Sequence, residues 1–219
     1  MLEEIGANYE LHPINILKGQ QHEESFQKIN PNRRIPAIVD MDGPLGRPFA
    51  LFESGAILQY LASKAGKFLP SGPEDRYLCL QWLSFQIANV GPMFGQCGHF
   101  MGYAPEDIPY AKKRYYNETV RLYGILDAQL EKNEYLAGAY SIADIATYPW
   151  TMPLVRKLHT IDIAAFPNVQ RWNQAIADRP AVKRGISILE DAMKIGDPTE
   201  EARKAMFGNI QISQDKRSN

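Results

Sequence analysis

The spacing of apolar and polar positions changes once along this chain. Over the first 65 residues the apolar runs are short. Tyr9–Asn15 alternates and carries Tyr, Leu and Ile, which predicts a strand. Glu23–Ile29 predicts a short helix that stops before Asn30-Pro31. Ile35–Asp40 is an apolar run bounded by Arg-Arg and Asp, as in a buried strand. Asp42-Gly43-Pro44-Leu45-Gly46 is strong turn chemistry, and Phe49–Phe52 supplies a second strand. With Ala37–Val39 it forms a predicted hairpin. Ser54–Ala65 then reads as a helix, with Ile57, Leu58 and Leu61 at helical spacing.

Gly66–Asp75, rich in Gly, Pro and Ser, is the best linker in the chain, and strand signals vanish after it. Tyr77–Val90 and Tyr110–Lys132 predict helices, the second with Tyr115, Thr119, Leu122, Leu126 and Leu130 on one face. Ser141–Leu154, Asn168–Asp178 and Ala181–Met193 complete a helical half. The expected architecture is a small α/β domain (1–65), a linker (66–75), an all-α domain (76–193) and a tail (194–219), two layers built separately. Residues Asp215–Asn219 are polar and are expected to fray.

Composition narrows the partners. Acidic and basic residues nearly balance, at a formal net charge of −1, which gives no reason to expect nucleic acid or an anionic membrane. Apolar residues make up 45% of the chain, enough for a substantial core. No apolar run is long enough to span a bilayer, and the N-terminus lacks a basic start and an apolar signal core. Two cysteines, Cys79 and Cys97, are too few for a disulfide framework, so a reducing, cytoplasmic setting is expected. Cys79 lies in an apolar helix and is expected to be packed. The four histidines show no metal-ligand spacing, and no metal is expected. His99, after a helix that could line a second-substrate pocket, is the one of interest.

Several segments carry specific chemistry. Pro36 follows Ile35, and an X-Pro bond can adopt the cis form at modest cost. Taken alone, Pro36 suits the start of an edge strand equally well. Glu53-Ser54 lies where a strand gives way to a helix. Ser is a good N-cap, and exposed N–H groups with the helix dipole favour a carboxylate there. By itself such a pair is more often an ordinary cap beside a solvated Glu. Ser141-Ile142-Ala143-Asp144 is a capping-box pattern with Asp in place of Glu, and Tyr140 and Ile145 are placed for a hydrophobic staple. It is read as structural.

The run Asn30-Pro31-Asn32-Arg33-Arg34-Ile35-Pro36-Ala37-Ile38-Val39, followed by Glu53-Ser54-Gly55-Ala56-Ile57, resembles the thioredoxin-fold half of a glutathione transferase. The stretches 91–100 (GPMFGQCGHF), 108–123 (IPYAKKRYYNETVRLY) and 140–150 (YSIADIATYPW) resemble the bacterial and fungal Nu class of that superfamily. The resemblance runs from about Met1 to Met193. It implies a thioredoxin-like domain followed by a helical bundle, and a glutathione site made by Gln21, Ile35, Pro36, Glu53, Ser54 and Arg114. Ile35, before a cis Pro36, would offer its backbone to the glutathione cysteine, as an added strand would. Ser54 and its helix start would take the γ-glutamyl carboxylate, and Glu53 the ammonium. Gln21 would bond the glycyl end, with Lys18 adding charge; a polar surface loop is the alternative, a stronger one for Lys18 than for Gln21. Arg114 would reach glutathione through its planar fork, in some relatives across a dimer interface; a surface ion pair is the alternative.

The resemblance further implies an enzyme, with glutathione as substrate. Its thiolate would attack a small electrophile, as in detoxification, or exchange with a disulfide, and the protein would be a homodimer. Apolar residues on more than one face of the helices at Ser54 and Tyr77 support the dimer. The alternative is a non-catalytic glutathione-binding or protein-interaction module of the same fold. A strand–helix–strand unit needs about 30 residues, so the chain is expected to begin inside the first helix, with Leu2–Gly6 as its last turns. The first strand, and the loop whose Thr or Asn would activate the sulfur, are expected to lie before Met1. No catalytic residue is therefore assigned, and turnover is expected to be slower than in a chain that includes that loop.

Overall fold

The computed structural model describes residues 1–188 and 199–207. In chain order the helices and strands are α1 (Leu2–Ile5), α2 (Glu24–Gln27), β1 (Ala37–Asp40), β2 (Phe49–Phe52), α3 (Ser54–Ala65), α4 (Pro73–Phe85), α5 (Gly91–Gly98), α6 (Pro109–Lys132), α7 (Ile142–Thr147), α8 (Pro153–His159), α9 (Pro167–Ala177), α10 (Pro180–Ser187) and α11 (Glu200–Phe207). By compactness the chain divides into two units. One joins residues 1–9 to 53–188. The other joins 10–52 to the described residues 199–207.

The larger unit is helical. Its core is Leu83, Phe94, Leu122, Tyr123, Leu126, Leu130, Leu136, Ile142, Val169, Trp172 and Ile176, all fully or almost fully buried. Helix α6 buries Thr119, Leu122, Tyr123, Leu126 and Leu130, the stripe that a period of 3.6 demands. Helix α9 buries Val169, Trp172, Asn173 and Ile176 at the same spacing. Asp127 on α6 caps α9, accepting from the N–H groups of Asn168 at 2.8 Å and Val169 at 3.0 Å. In return, Arg171 on α9 donates to the carbonyls of Leu130 and Asn133, which end α6. Both exchanges satisfy terminal backbone groups that a helix cannot pair internally.

The capping box at Ser141 forms as the pattern expects. Ser141 Oγ accepts from Ala143 N–H, and the Asp144 carboxylate accepts from Ser141 N–H at 3.0 Å. Asp144 also accepts from Leu136 N–H at 3.0 Å and from the Trp172 indole N–H at 2.9 Å. Burial pushes the Asp144 carboxyl above the ordinary carboxylate range, and these donors oppose the shift.

Residues 1–9 are clamped to the end of the same unit. Arg179 makes a two-point bond to Glu4, at 2.7 and 3.0 Å, and lies 3.7 Å over the Tyr140 ring; the Tyr140 hydroxyl donates to Glu4. Arg184 bonds Glu3 at 2.7 Å.

The smaller unit contains the hairpin of β1 and β2, antiparallel with Ala37 opposite Phe52 and Asp40 opposite Phe49. These two strands form the sheet among the described residues. The strand expected at Tyr9–Asn15 does not form: the segment is irregular, and Tyr9 and Leu11 are exposed. Among the described residues, alternation there has no neighbouring strand to give it a ladder.

Three helix boundaries also differ. The first long helix starts at Pro73, not Tyr77, because Pro at the first position with Glu74 and Asp75 in the first turn is a good helix start. It continues through a π-helical stretch, Gln86–Val90, into α5. The helix expected over Ser141–Leu154 is three pieces, α7, a 3₁₀ turn at Tyr148–Thr151 and α8. Pro149 and Pro153 lack the N–H that an unbroken helix would use. Helix α10 ends at Ser187, and residues 189–193 of the last expected helix lie outside the described residues, as does most of the expected tail.

His159 closes the core at the end of α8. Its ring is 1% exposed and stands edge-on to Phe94, whose ring stacks on Tyr123. Burial pushes its pKa below the ordinary 6.5, partly offset by a bond to the Phe94 backbone. In the folded state the ring therefore resists the proton that the unfolded chain accepts below pH 6.5. Stability should fall as pH drops from 6.5 toward the folded pKa, by up to about 1.4 kcal/mol per pH unit. Urea unfolding across pH 7 to 5 should show that slope in the parent and a flatter one in His159→Gln. An identical slope in both would assign it to another group.

Candidate functional site

In the larger unit, the start of α3 places Glu53 and Ser54. Sequence reasoning puts Ser54 at the N-cap, but Glu53 occupies that position and Ser54 is the first helical residue. The reason lies in the backbone. Glu53 sits at φ 68° and ψ 115°, outside the helical region, while its carbonyl accepts the first helical bond, from Ile57 N–H at 2.9 Å. The Glu53 side chain makes no capping bond to the helix. The N–H groups of Ser54, Gly55 and Ala56 precede the first intrahelical donor, and Ser54 is exposed. Gly55 lies close to the π-helical stretch, and a Cβ there would force the tip of the Ile87 side chain to shift. The result is an uncapped, accessible helix start suited to a carboxylate. The positive φ at Glu53 is an uncommon conformation for a non-glycine residue.

Arg114 lies on the exposed side of α6, in an open groove of about 470 Å³ with Tyr110, Lys113, Asn117, Glu118 and Arg121. Arg121 bonds Glu118 through two nitrogens, at 2.6 and 2.9 Å, and with a smaller pull from Arg114 holds it below the usual carboxylate range. That pair offsets itself, so Lys113 and Arg114 give the groove its positive charge. No residue of α3 lines it. A second cleft, of about 440 Å³, is lined by Met101, Asp107, Lys112 and Tyr116 among others. His99 is not among its lining residues and packs edge-on against Phe100.

In the smaller unit, the Ile35–Pro36 bond is cis, as the sequence reading expects. Ile35 is 53% exposed and precedes the β ladder, which begins at Ala37. The turn leading to it is organised by Asn30, which sequence reasoning did not single out. Asn30 is buried, donates to the Arg34 carbonyl and accepts from Asn32 N–H at 2.8 Å. Asn before Pro is so common in turns that its burial could not be read from the sequence.

Gln21 is buried, at 5% exposed, in a short 3₁₀ turn, Gln20–His22. Its amide donates to the Ala205 carbonyl of α11 at 3.1 Å. A bond across 184 positions of sequence has no local signal. Lys18 is exposed at the end of the preceding 3₁₀ turn, Ile16–Lys18. Both cysteines are free and buried, and burial pushes both thiols above their ordinary pKa. Among the described residues no cluster of His, Cys, Asp or Glu could hold a metal.

With two domain matches, the chain's class is defined. Residues 1–63 match the glutathione S-transferase N-terminal domain, and residues 99–180 match its C-terminal domain. Among its relatives is the disulfide-bond oxidoreductase YfcG of Escherichia coli, 47% identical over 84% of this chain and 86% of that protein. A second, YghU of the same organism, bears the same description and is 40% identical over 84% of this chain and 68% of that protein. A glutathione transferase from Pseudomonas putida, crystallised with one glutathione disulfide per subunit, is 45% identical, with a TM-score of 0.81 over 86% of this chain and 84% of that one. One from Burkholderia graminis, with two glutathione molecules per subunit, is 44% identical, with a TM-score of 0.81 over 89% and 82%. The chain belongs to the glutathione S-transferase family.

The backbone at Glu53 gives a direct test. Glu53→Ala and Glu53→Gly both delete the side chain, but only glycine tolerates the positive φ without a Cβ clash. Glu53→Gly should be more stable than Glu53→Ala by about 1 kcal/mol in urea unfolding. Equal stabilities would mean that the backbone at Glu53 relaxes to an ordinary conformation.

Proposed function

We propose that this chain is a glutathione-dependent enzyme that uses the glutathione thiolate as nucleophile, toward a disulfide or a small electrophile. The observation that carries the reading is the uncapped start of α3 behind Glu53. The exposed N–H groups and Ser54 receive the γ-glutamyl carboxylate, and the Glu53 carboxylate receives the ammonium. The Ile35 backbone pairs with the cysteinyl backbone of the ligand. Gln21 takes the glycyl end, and Arg114 adds a cation for a glutathione carboxylate. The residues named here bind glutathione; the group that activates its sulfur is not one of them.

Disulfide reduction is favoured by the state of the protein's own thiols. Cys79 and Cys97 are buried and their pKa values are raised, so neither is a ready thiolate. The reductant is then glutathione itself. Its thiolate attacks one sulfur of the substrate disulfide, forming a mixed disulfide and releasing the other sulfur as a thiolate. A second glutathione thiolate resolves the mixed disulfide to glutathione disulfide and the second substrate thiol. The description of YfcG and YghU as disulfide-bond oxidoreductases supports this choice.

On this reading residues 1–65 form the glutathione-binding domain, 66–75 a linker and 76–193 the helical domain. The protein works in the cytoplasm, where free thiols persist. A homodimer is part of the proposal, supported by Tyr77 and Leu78 on α4 and Ile87 in the π-helical stretch, large apolar residues that are exposed. Helix α3 adds little to it, because Ile57, Leu58 and Leu61 are buried within the unit.

Calorimetric titration with glutathione tests the reading. Ser54→Ala and Arg114→Ala should each weaken binding about tenfold, since a hydrogen bond to a charged group contributes about 1.5–3 kcal/mol. Light scattering on the same samples should give twice the mass of one chain. Unchanged affinity in Ser54→Ala would remove the α3 corner from the site, and a monomer mass would remove the dimer.

A further inference from the structure

In the smaller unit, helix α11 lies on the 3₁₀ turns that carry Gln21, and the contact has an unusual chemistry. The Ala205 carbonyl receives the Gln21 side-chain amide at 3.1 Å and stands 3.2 Å from His22 Nε2. Both bonds form when His22 carries its proton on Nε2. The Gln21 and His22 nitrogens lie 3.2 Å apart, so two donors converge on one oxygen. Two acceptors are left behind. Gln21 Oε1 and His22 Nδ1 are buried and have no hydrogen-bond partner among the described residues.

This docking is weak by construction. Each unpaired buried acceptor opposes it. The helix is eight residues long, too short to be stable in isolation. Among its described side chains Ala202 is buried, at 7% exposed, and Ala205 and Met206 are half-buried.

We propose that α11 is a displaceable lid over the glycine end of the glutathione site, with the Ala205 carbonyl standing in for the glycyl carboxylate. The proposal rests on the assignment of Gln21 to that end of the ligand. With α11 docked, Gln21 is covered and its amide is taken, so ligand and helix compete for the same donors. A carboxylate wins the exchange chemically. It offers two charged oxygens to two converging N–H groups, where the carbonyl offers one neutral oxygen. Occupancy of the site and release of α11 are therefore linked, and each disfavours the reverse of the other.

Two measurements on the full chain decide it. In the unaltered protein, saturating glutathione should speed amide exchange at Lys204 to Met206, by about threefold or more. Unchanged or slowed exchange there overturns the lid. Separately, Ala202→Asp places a charge at the buried anchor and undocks α11 without touching Gln21. It should bind glutathione about threefold or more tighter by calorimetry, and the gain should vanish in Gln21→Ala/Ala202→Asp. A gain that persists without Gln21 overturns the competition. If Ala202→Asp gains nothing while Gln21→Ala alone weakens binding, the lid is wrong and the Gln21 assignment stands. If Gln21→Ala binds as the parent does, in both backgrounds, the assignment itself fails and the lid with it.

Discussion

A carboxylate buried in the helical unit is the point on which the rest of that unit depends. Asp144 accepts from the backbone of Leu136, from Ser141 and from the Trp172 indole. Those partners come from the loop after α6, from the N-terminus of α7 and from the middle of α9. A buried charge is expensive unless its lone pairs are filled, and here four donors fill them. The same arrangement makes each donor depend on the acid. Without Asp144, two backbone N–H groups and an indole N–H would be buried with nothing to bond. The acid therefore fixes where α7 begins and how α9 meets it.

From α7 the frame extends to the candidate site. Helix α7 packs on both α3 and α4, and Ile142 N–H bonds the Phe68 carbonyl just beyond α3. On α3, Gly55 lies close to the π-helical stretch that follows α4. Once its buried side, Ile57, Leu58, Leu61 and Ala62, is fixed in this way, the open end of α3 is held in place. An uncapped helix start is a liability in isolation, with N–H groups that only water satisfies. Held rigidly behind a residue with positive φ, it becomes a pre-organised anion receptor, which is the role proposed for it.

How much of this is legible in the sequence depends on the range of the interaction involved. Helix α6 and helix α9 follow from apolar periodicity, and the capping box follows from four adjacent residues. The hairpin follows from turn chemistry between two short apolar runs. Where the chain alternates without a partner, as at Tyr9–Asn15, the pattern misleads, since a strand needs a neighbour as well as a rhythm. Pro149 and Pro153 break a helix that periodicity alone carries through. Of the candidate site, the Glu53-Ser54 corner and Ile35-Pro36 stand out locally, although the positive φ that moves the cap from Ser54 to Glu53 does not. The organising role of Asn30, the partners of Asp144 at Leu136 and Trp172, and the seat of Ala205 on Gln21 are made by distant or irregular backbone. No spacing rule encodes them.

The helical frame therefore depends on the Asp144 carboxylate. The direct measurement is the unfolding free energy of Asp144→Ala against the parent, by urea titration followed through tryptophan fluorescence. Stranding several buried donors costs about 1–3 kcal/mol for each, so the variant should lose at least about 3 kcal/mol. A loss below about 1 kcal/mol would contradict the account, because it would show that the donors at Leu136, Ser141 and Trp172 find other partners and that the frame does not depend on this acid.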